Sequence, residues 1–346
     1  MEEVSALHPD AVVLTGDLTF SGAASTHKAL AEKLAALTRQ GIRVFVLPGN
    51  HDLYNQYAMS FTETEAIPVP SVSSEEFRSI YHGCGYDAAI SCDSDSLSYA
   101  AMLDDATMLL TIDTNKENAE CMVSDTTLAW MEAQLQYAKS NGFAVIAAFH
   151  QNIMQHSIFN TGYLIYQHRT IKELFAKYDV ALALSGHLHM QHIKQGQGVT
   201  EIATSALSVW PCEYGIITAN HGQLNYGTHR LDVAARAARL GLSDENLLHF
   251  DDYTEALLLD RLGGQARSFI HGFYPEEQEE QMVDYAVQAT RMYFSGDLSG
   301  FDALDRDGSL RAAWSEIEVP YAMYIASVGD DAGKVMNQLT IPFPAR

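Results

Sequence analysis

The stretch Val44-Phe45-Val46-Leu47-Pro48-Gly49-Asn50-His51-Asp52 decides how the rest of the chain reads. Four apolar residues in a row, β-branched and aromatic among them, mark a strand buried on both faces. Proline and glycine end it, and an amide, an imidazole and a carboxylate follow at once. Polar groups in that place stand at the carboxyl end of a buried strand, where open α/β sheets keep their ligand sites. Two more islands repeat the arrangement: Ala11–Thr15 runs into Gly16-Asp17-Leu18, and Ala181–Ser185 runs into Gly186-His187-Leu188-His189. A fourth run, Val145–Phe149, ends on His150. Ligands leaving several strands of one sheet can meet at one centre.

The segments between the islands read as helices and turns. Leu30, Leu34 and Leu37 form a helical stripe that Ser25 can cap and Gly41 stops. Strand, helix and strand in that order predict parallel strands covered on both faces. Residues 54–95, with Pro68, Pro70 and several serines, read as a long rim insertion with short helices. Leu97–Leu103 and Thr107–Asp113 predict a hairpin around Asp104-Asp105, and Asp125–Ser140 predicts a helix stopped by Asn141-Gly142. A helix near 171–178 and three short strands between Val199 and His229 follow. Beyond Leu231 the texture is helical, in Ala234–Leu240, Tyr253–Leu262, Met282–Tyr293 and Trp314–Val328, with Gly263-Gly264 and Gly296 as punctuation. The expected division is an α/β domain over 1–230 and a small, acidic, all-helical domain over 231–346.

The 346 residues carry 21 Lys and Arg against 44 Asp and Glu, a formal net charge of −23. Such a surface repels a polynucleotide backbone, so nucleic acid is not the expected partner. A small phosphate ester can still be held, because bound cations reverse the local potential. No apolar run reaches membrane-spanning length. Cys84, Cys92, Cys121 and Cys212 have no metal-binding spacing and read as ordinary thiols; a Cys84–Cys92 bridge would need an oxidising compartment. Met1-Glu2-Glu3 does not open a signal peptide, so the chain as it stands reads as cytoplasmic. An exported or lipid-anchored form would need a segment before it.

The candidate ligands are chemically mixed. Asp17 offers a carboxylate that can bridge two cations, Asn50 a neutral amide oxygen, and His150, His187 and His189 imidazoles. Nitrogen and oxygen donors together suit Zn, Mn or Fe better than Mg or Ca. In order and placement these islands resemble the signature of the calcineurin-like metallophosphoesterase superfamily, DxH, GD, GNH[DE], H and GHxH, over about residues 8–230. The resemblance implies an αββα sandwich, two packed mixed sheets flanked by helices, here followed by the helical domain. It implies two divalent cations bridged by Asp17, one completed by Asn50, His150 and His187, the other by His189. It also implies attack on phosphorus by a hydroxide that the cations share, with His51 protonating the leaving oxygen and Asp52 orienting the His51 ring.

No DxH precedes Gly16-Asp17, so Met1 reads as an internal methionine or a shortened start. Two ligands of the His189 cation are therefore missing. The Asn50/His150/His187 cation is expected to bind better than its neighbour, two-metal catalysis is expected to be weak, and the lost strand should leave apolar faces open. Gly85–Ser91, Ser96–Tyr99 and Ile202–Ser208 resemble bacterial members with a carboxyl-terminal helical domain, some of them exported cyclic-nucleotide phosphodiesterases, often lipoproteins. The leading expectation is hydrolysis of small phosphodiesters, cyclic nucleotides first. The alternative is a degenerate phosphoesterase-fold module that binds a partner. Outside the islands, His156 reads as structural, His192 and His168 as surface or helix-face residues, and Asn152 and Tyr163 as rim candidates. Asp305–Ser309 fails as a calcium loop, because Ala303 and Trp314 would occupy its end positions.

Overall fold

The computed structural model describes residues 1–62, 64–117, 119–158, 163–220 and 222–343. The chain opens with α1 (Glu2–Leu7), β1 (Ala11–Thr15), α2 (Ala24–Thr38) and β2 (Arg43–Leu47). A hairpin of β3 (Met59–Phe61) and β4 (Ala66–Pro68), then α3 (Ser74–Ile80), make up much of the rim insertion. Next come β5 (Ala89–Cys92), β6 (Tyr99–Met102), β7 (Thr107–Thr111), α4 (Asp125–Asn141), β8 (Ala144–Ala148), α5 (His168–Lys177) and β9 (Leu182–Ser185). Four strands follow: β10 (His192–Gly196), β11 (Val199–Ala203), β12 (Glu213–Asn220) and β13 (Gln223–Arg230). The helices α6 (Val233–Arg239), α7 (Glu245–Leu248), α8 (Phe250–Ile270), α9 (Glu276–Ser295), α10 (Ser309–Ser315) and α11 (Pro320–Val328) precede β14 (Gln338–Pro342).

The large sheet is mixed and runs β10-β11-β9-β8-β7-β6-β5. Its central strands are buried on both faces, and alternation sorts their side chains. Ile146, Leu182, Leu184 and Leu109 face a core shared with β1, β2, β13 and β14. Val145, Ala147, Met108 and Leu110 face α4 and α5. The opposing layer holds the parallel pair β1-β2 and the antiparallel order β12-β13-β14, with Leu34 and Leu37 of α2 in the same core. Layered as helix, sheet, sheet and helix, this is the expected sandwich. β1 pairs with β2 alone among the described residues, and Val12, Val13 and Leu14 are left half-buried.

Several elements depart from the sequence reading. The ligand-bearing strands do not share one sheet: β1 and β2 belong to one layer, β8 and β9 to the other. Ala23, not Ser25, occupies the N-cap of α2 and lends no side-chain bond. Gly263 and Gly264 lie inside α8, where a β-carbon at Gly263 would touch Val287 of α9 at 3.8 Å. Gly263 therefore sits within an interhelical contact, Gly264 faces open space, and neither breaks the helix. The stretch Trp314–Val328 is two helices, the second starting at Pro320. β14 pairs with β13, so the region beyond 231 is not wholly helical and is tied back to the sandwich. All four cysteines are free thiols. Among the described residues no helix is long and apolar enough to cross a membrane.

Candidate metal centre

Four strand ends from two facing layers aim their next residues at one point. Asn50 Oδ1 lies 3.0 Å from His150 Nε2 and 3.2 Å from His187 Nδ1, and those two nitrogens are 3.2 Å apart. Asp17 Oδ2 is 3.3 Å from the same His150 nitrogen. His150 Nδ1 donates to the Thr15 carbonyl at 2.8 Å, which leaves the Nε2 lone pair facing two oxygen acceptors when the ring is neutral. Acceptors turned on one another need something positive between them. That is the fit a divalent cation asks of its site, and the backbone carbonyl behind the ring fixes its tautomer. Among the described residues no group of three carboxylate, imidazole or thiolate ligands forms a cage of its own. The converging set is closed by the Asn50 amide.

The backbone is bent to achieve this. Asp17 (φ 49°), His187 (φ 66°) and His189 (φ 57°) all occupy the left-handed region, which costs a residue with a β-carbon about 1–3 kcal/mol. Gly16, also left-handed, and Gly49 permit the close approach. A β-carbon on Gly16 would lie 2.6 Å from His150 Nδ1, and one on Gly49 would strike the Asp17 carboxylate and amide.

Burial alone would raise the Asp17 pKa. The His150 contact and the His51 amide outweigh it and hold the carboxyl at about 2. Burial also works to lower His150, but Asp17 overcomes it and raises the ring. His187 is pushed down to about 4 by burial and by the neighbouring His150, so the ring is neutral at neutral pH and one of its nitrogens carries a lone pair. His189 stands exposed at the rim. Loss of water on its protein side, against the pull of Asp17 and with the push of His150, lowers its pKa.

His51 is exposed, and its Nδ1 donates to the Phe20 carbonyl at 2.9 Å. Asp52 does not orient that ring, contrary to expectation. It is fully buried and points the other way, accepting from the backbone amides of Leu18 (3.0 Å), Thr19 (2.9 Å) and Gly49 (2.9 Å). Four acceptor sites on a carboxylate suit three buried N–H groups better than one exposed imidazole. Burial, only partly offset by those amides, raises its pKa to about 6. Asp52 thus fastens the Asp17 loop to the Asn50 loop.

Other rim residues differ too. Asn152 is buried and donates to Ser185 Oγ at 2.8 Å, while Tyr163 is exposed with its ring 5.1 Å from that of His187. His192 is fully buried, its Nδ1 3.0 Å from His156 Nδ1 and its Nε2 3.2 Å from Asp331. Sequence reading missed Phe20 and the buried His27, which contacts Thr19, the Asp52 carbonyl and Tyr81. Position three beyond Asp17, on a loop expected to hold metal, was the signal available for Phe20; His27 gave none. A cavity of about 280 Å³ opens beside Asn50, lined also by Tyr54, Asn115, Lys116 and Glu120.

A layered α/β sandwich with mixed nitrogen and oxygen donors converging at its strand ends is an arrangement able to hold metal ions. The sequence of residues 1–191 matches the calcineurin-like phosphoesterase family, and the chain belongs to it. No curated protein matches the chain in sequence. Similar solved structures include a dimetal phosphatase from Danio rerio, at 11% identity over 66% of this chain and 83% of that one, with a TM-score of 0.49. PhoD is similar at 11% identity over 64% of this chain and 61% of its own, with a TM-score of 0.41. Phosphopantetheinyl hydrolase from Mycobacterium tuberculosis is similar at 13% identity over 57% and 78%, with a TM-score of 0.30.

Proposed function

We propose that the chain is a metal-dependent phosphoric ester hydrolase acting on small phosphodiesters, with cyclic nucleotides first among them. The observation that carries this reading is the meeting of Asn50 Oδ1, His150 Nε2 and His187 Nδ1 at 3.0–3.2 Å, with Asp17 alongside. Asp17, Asn50, His150 and His187 would hold one divalent ion, and Asp17 with His189 would contribute to a second. Mn, Fe or Zn suits these donors. Bound there, the ions supply Lewis acidity toward the phosphoryl group and lower the pKa of an attacking water.

The remaining work falls to the chain's own groups. The Phe20 carbonyl holds His51 Nδ1, so the Nε2 of the exposed ring is free to serve as proton donor to the leaving oxygen. Asp52 acts as a positioning residue for the Asp17 and Asn50 loops. The small polar cavity beside Asn50 supports a compact, hydrophilic ester, and the net charge of −23 speaks against a polynucleotide. We assign the catalytic unit to residues 1–230, with the helices from 231 onward as an accessory layer.

The test uses manganese-reconstituted protein and bis-p-nitrophenyl phosphate. His51→Ala should lower kcat by about 10²–10⁴-fold with bound metal retained, whereas Asn50→Ala should lose metal and activity together. Wild-type rates in both variants would overturn the mechanism. Faster turnover of p-nitrophenyl phosphate than of 3′,5′-cyclic AMP would move the substrate class to monoesters.

A further inference from the structure

A second cavity, of about 480 Å³, lies between the loop 154–158, the β10 turn and the end of α11, and none of the five predicted metal ligands lines it. Charge singles it out. Among the described residues the half-buried cations are Arg43, Lys116, Lys172, Lys194, Arg291 and Arg311. Arg43 donates to the carbonyls of Met102 and Leu103, Lys116 pairs with Asp95, Arg291 with Glu255 and Arg311 with Asp330. Lys172 of α5 and Lys194 of β10 have no carboxylate or carbonyl partner among the described residues, and both line this one cavity.

An ammonium drawn partly out of water needs a counter-charge. The chain has 44 acidic residues, yet among the described residues none pairs with either lysine. The two aspartates on the same wall are already engaged, Asp330 by Arg311 and Asp331 by Lys334 and His192. Glu201, behind the loop, accepts the amides of Ile153 and Met154 at 3.0 and 2.7 Å. The cavity therefore holds two ammonium groups whose charge no described carboxylate pairs, with the Gln197 amide at its rim as a further donor; Gln195 Nε2 already donates to Thr200 Oγ1 at 3.2 Å.

We propose that this cavity is an anion site, separate from the metal centre, that takes a small phosphate-bearing molecule. Two ammonium groups from different elements that line one cavity can serve one compact dianion, the way lysine serves phosphate as a point charge. The volume falls in the range of small-molecule sites.

Isothermal titration of the chelator-treated chain with inorganic phosphate, at constant ionic strength, tests the assignment. Wild type and Asn50→Ala should show the same saturable site. In K172A/K194A its affinity should fall at least about tenfold, the worth of one charge-assisted contact, while K172R/K194R retains most of it. Neither lysine gives up a partner among the described residues, so the melting temperature should hold in both double variants. If the double alanine variant fails to fold, K172Q and K194Q singly carry the same test. The proposal is overturned if wild type shows no saturable phosphate binding. It is equally overturned if binding survives K172A/K194A and vanishes with Asn50→Ala, or if succinate binds as tightly as phosphate.

Discussion

The two sides of the candidate metal centre are held in different ways. On one side, His150 is buried, its far nitrogen is fixed by the Thr15 carbonyl, and Asn50 and Asp17 ride on loops fastened together by Asp52. On the other, His51 and His189 are exposed; His51 has one ring hydrogen bond and His189 has none among the described residues. The difference teaches that ligand identity and ligand readiness are separate properties. A side chain fixed before the metal arrives loses less freedom on binding it than one that must first be ordered.

The contrast can be broken most directly by counting metal. His150→Ala should remove tightly bound cation almost entirely and cut hydrolysis by more than about 100-fold, beyond what loss of an outer-shell group costs. His189→Ala should lower the metal content less. Elemental analysis after desalting decides it, and equal depletion in the two variants would erase the distinction.

A smaller effect is expected one layer down. Asp52→Asn keeps the shape but exchanges acceptor lone pairs for an NH2 group facing backbone amides. Stability should drop by about 1–3 kcal/mol, read from urea unfolding, with weaker metal retention on the fixed side. Gly49→Ala should likewise loosen metal without touching a ligand, because its methyl group displaces Asp17. Metal retention equal to wild type would show that the loops give way more readily than their packing indicates.

A further effect, of similar size, is a pH slope. Burial holds the His27 ring at about 4, against an ordinary 6.5. Between those values an unfolded chain takes up a proton that the native chain refuses, so stability is lost as pH falls, by up to about 1.4 kcal/mol per pH unit. Asp52, raised to about 6, works in the opposite direction below that pH. The difference between wild type and His27→Gln therefore isolates the histidine. The variant should lose less stability than wild type between pH 6.5 and 4.5, and parallel curves would refute the linkage.

What could be read from the chain alone divides along the same line. The islands were legible because an apolar run followed by glycine and a ligand is a local pattern. β6, β7, α4 and the ends of β1, β2, β8 and β9 followed from the same kind of evidence. β10 and β14 were not legible, since His192–Gly196 and Gln338–Pro342 carry little apolar patterning and become strands through distant neighbours. The direction of Asp52 was hidden for a related reason. Its backbone partners at Leu18 and Thr19 are 34 and 33 positions away, and no side-chain pattern announces a buried amide. Lys172 and Lys194 likewise look like any surface lysines until α5 and β10 are brought to one cavity.

The return of β14 bears on how the protein is made. Asn225 and Thr340 share a hydrogen bond across 115 positions of chain. At synthesis rates of about 5–20 residues per second, β13 emerges roughly 6 to 23 seconds before the strand that covers its edge. For that interval a nascent chain displays an unpaired strand to its neighbours on the same messenger. Ribosome spacing and chaperone supply should thus govern the yield of native protein more strongly than any single residue of the metal centre.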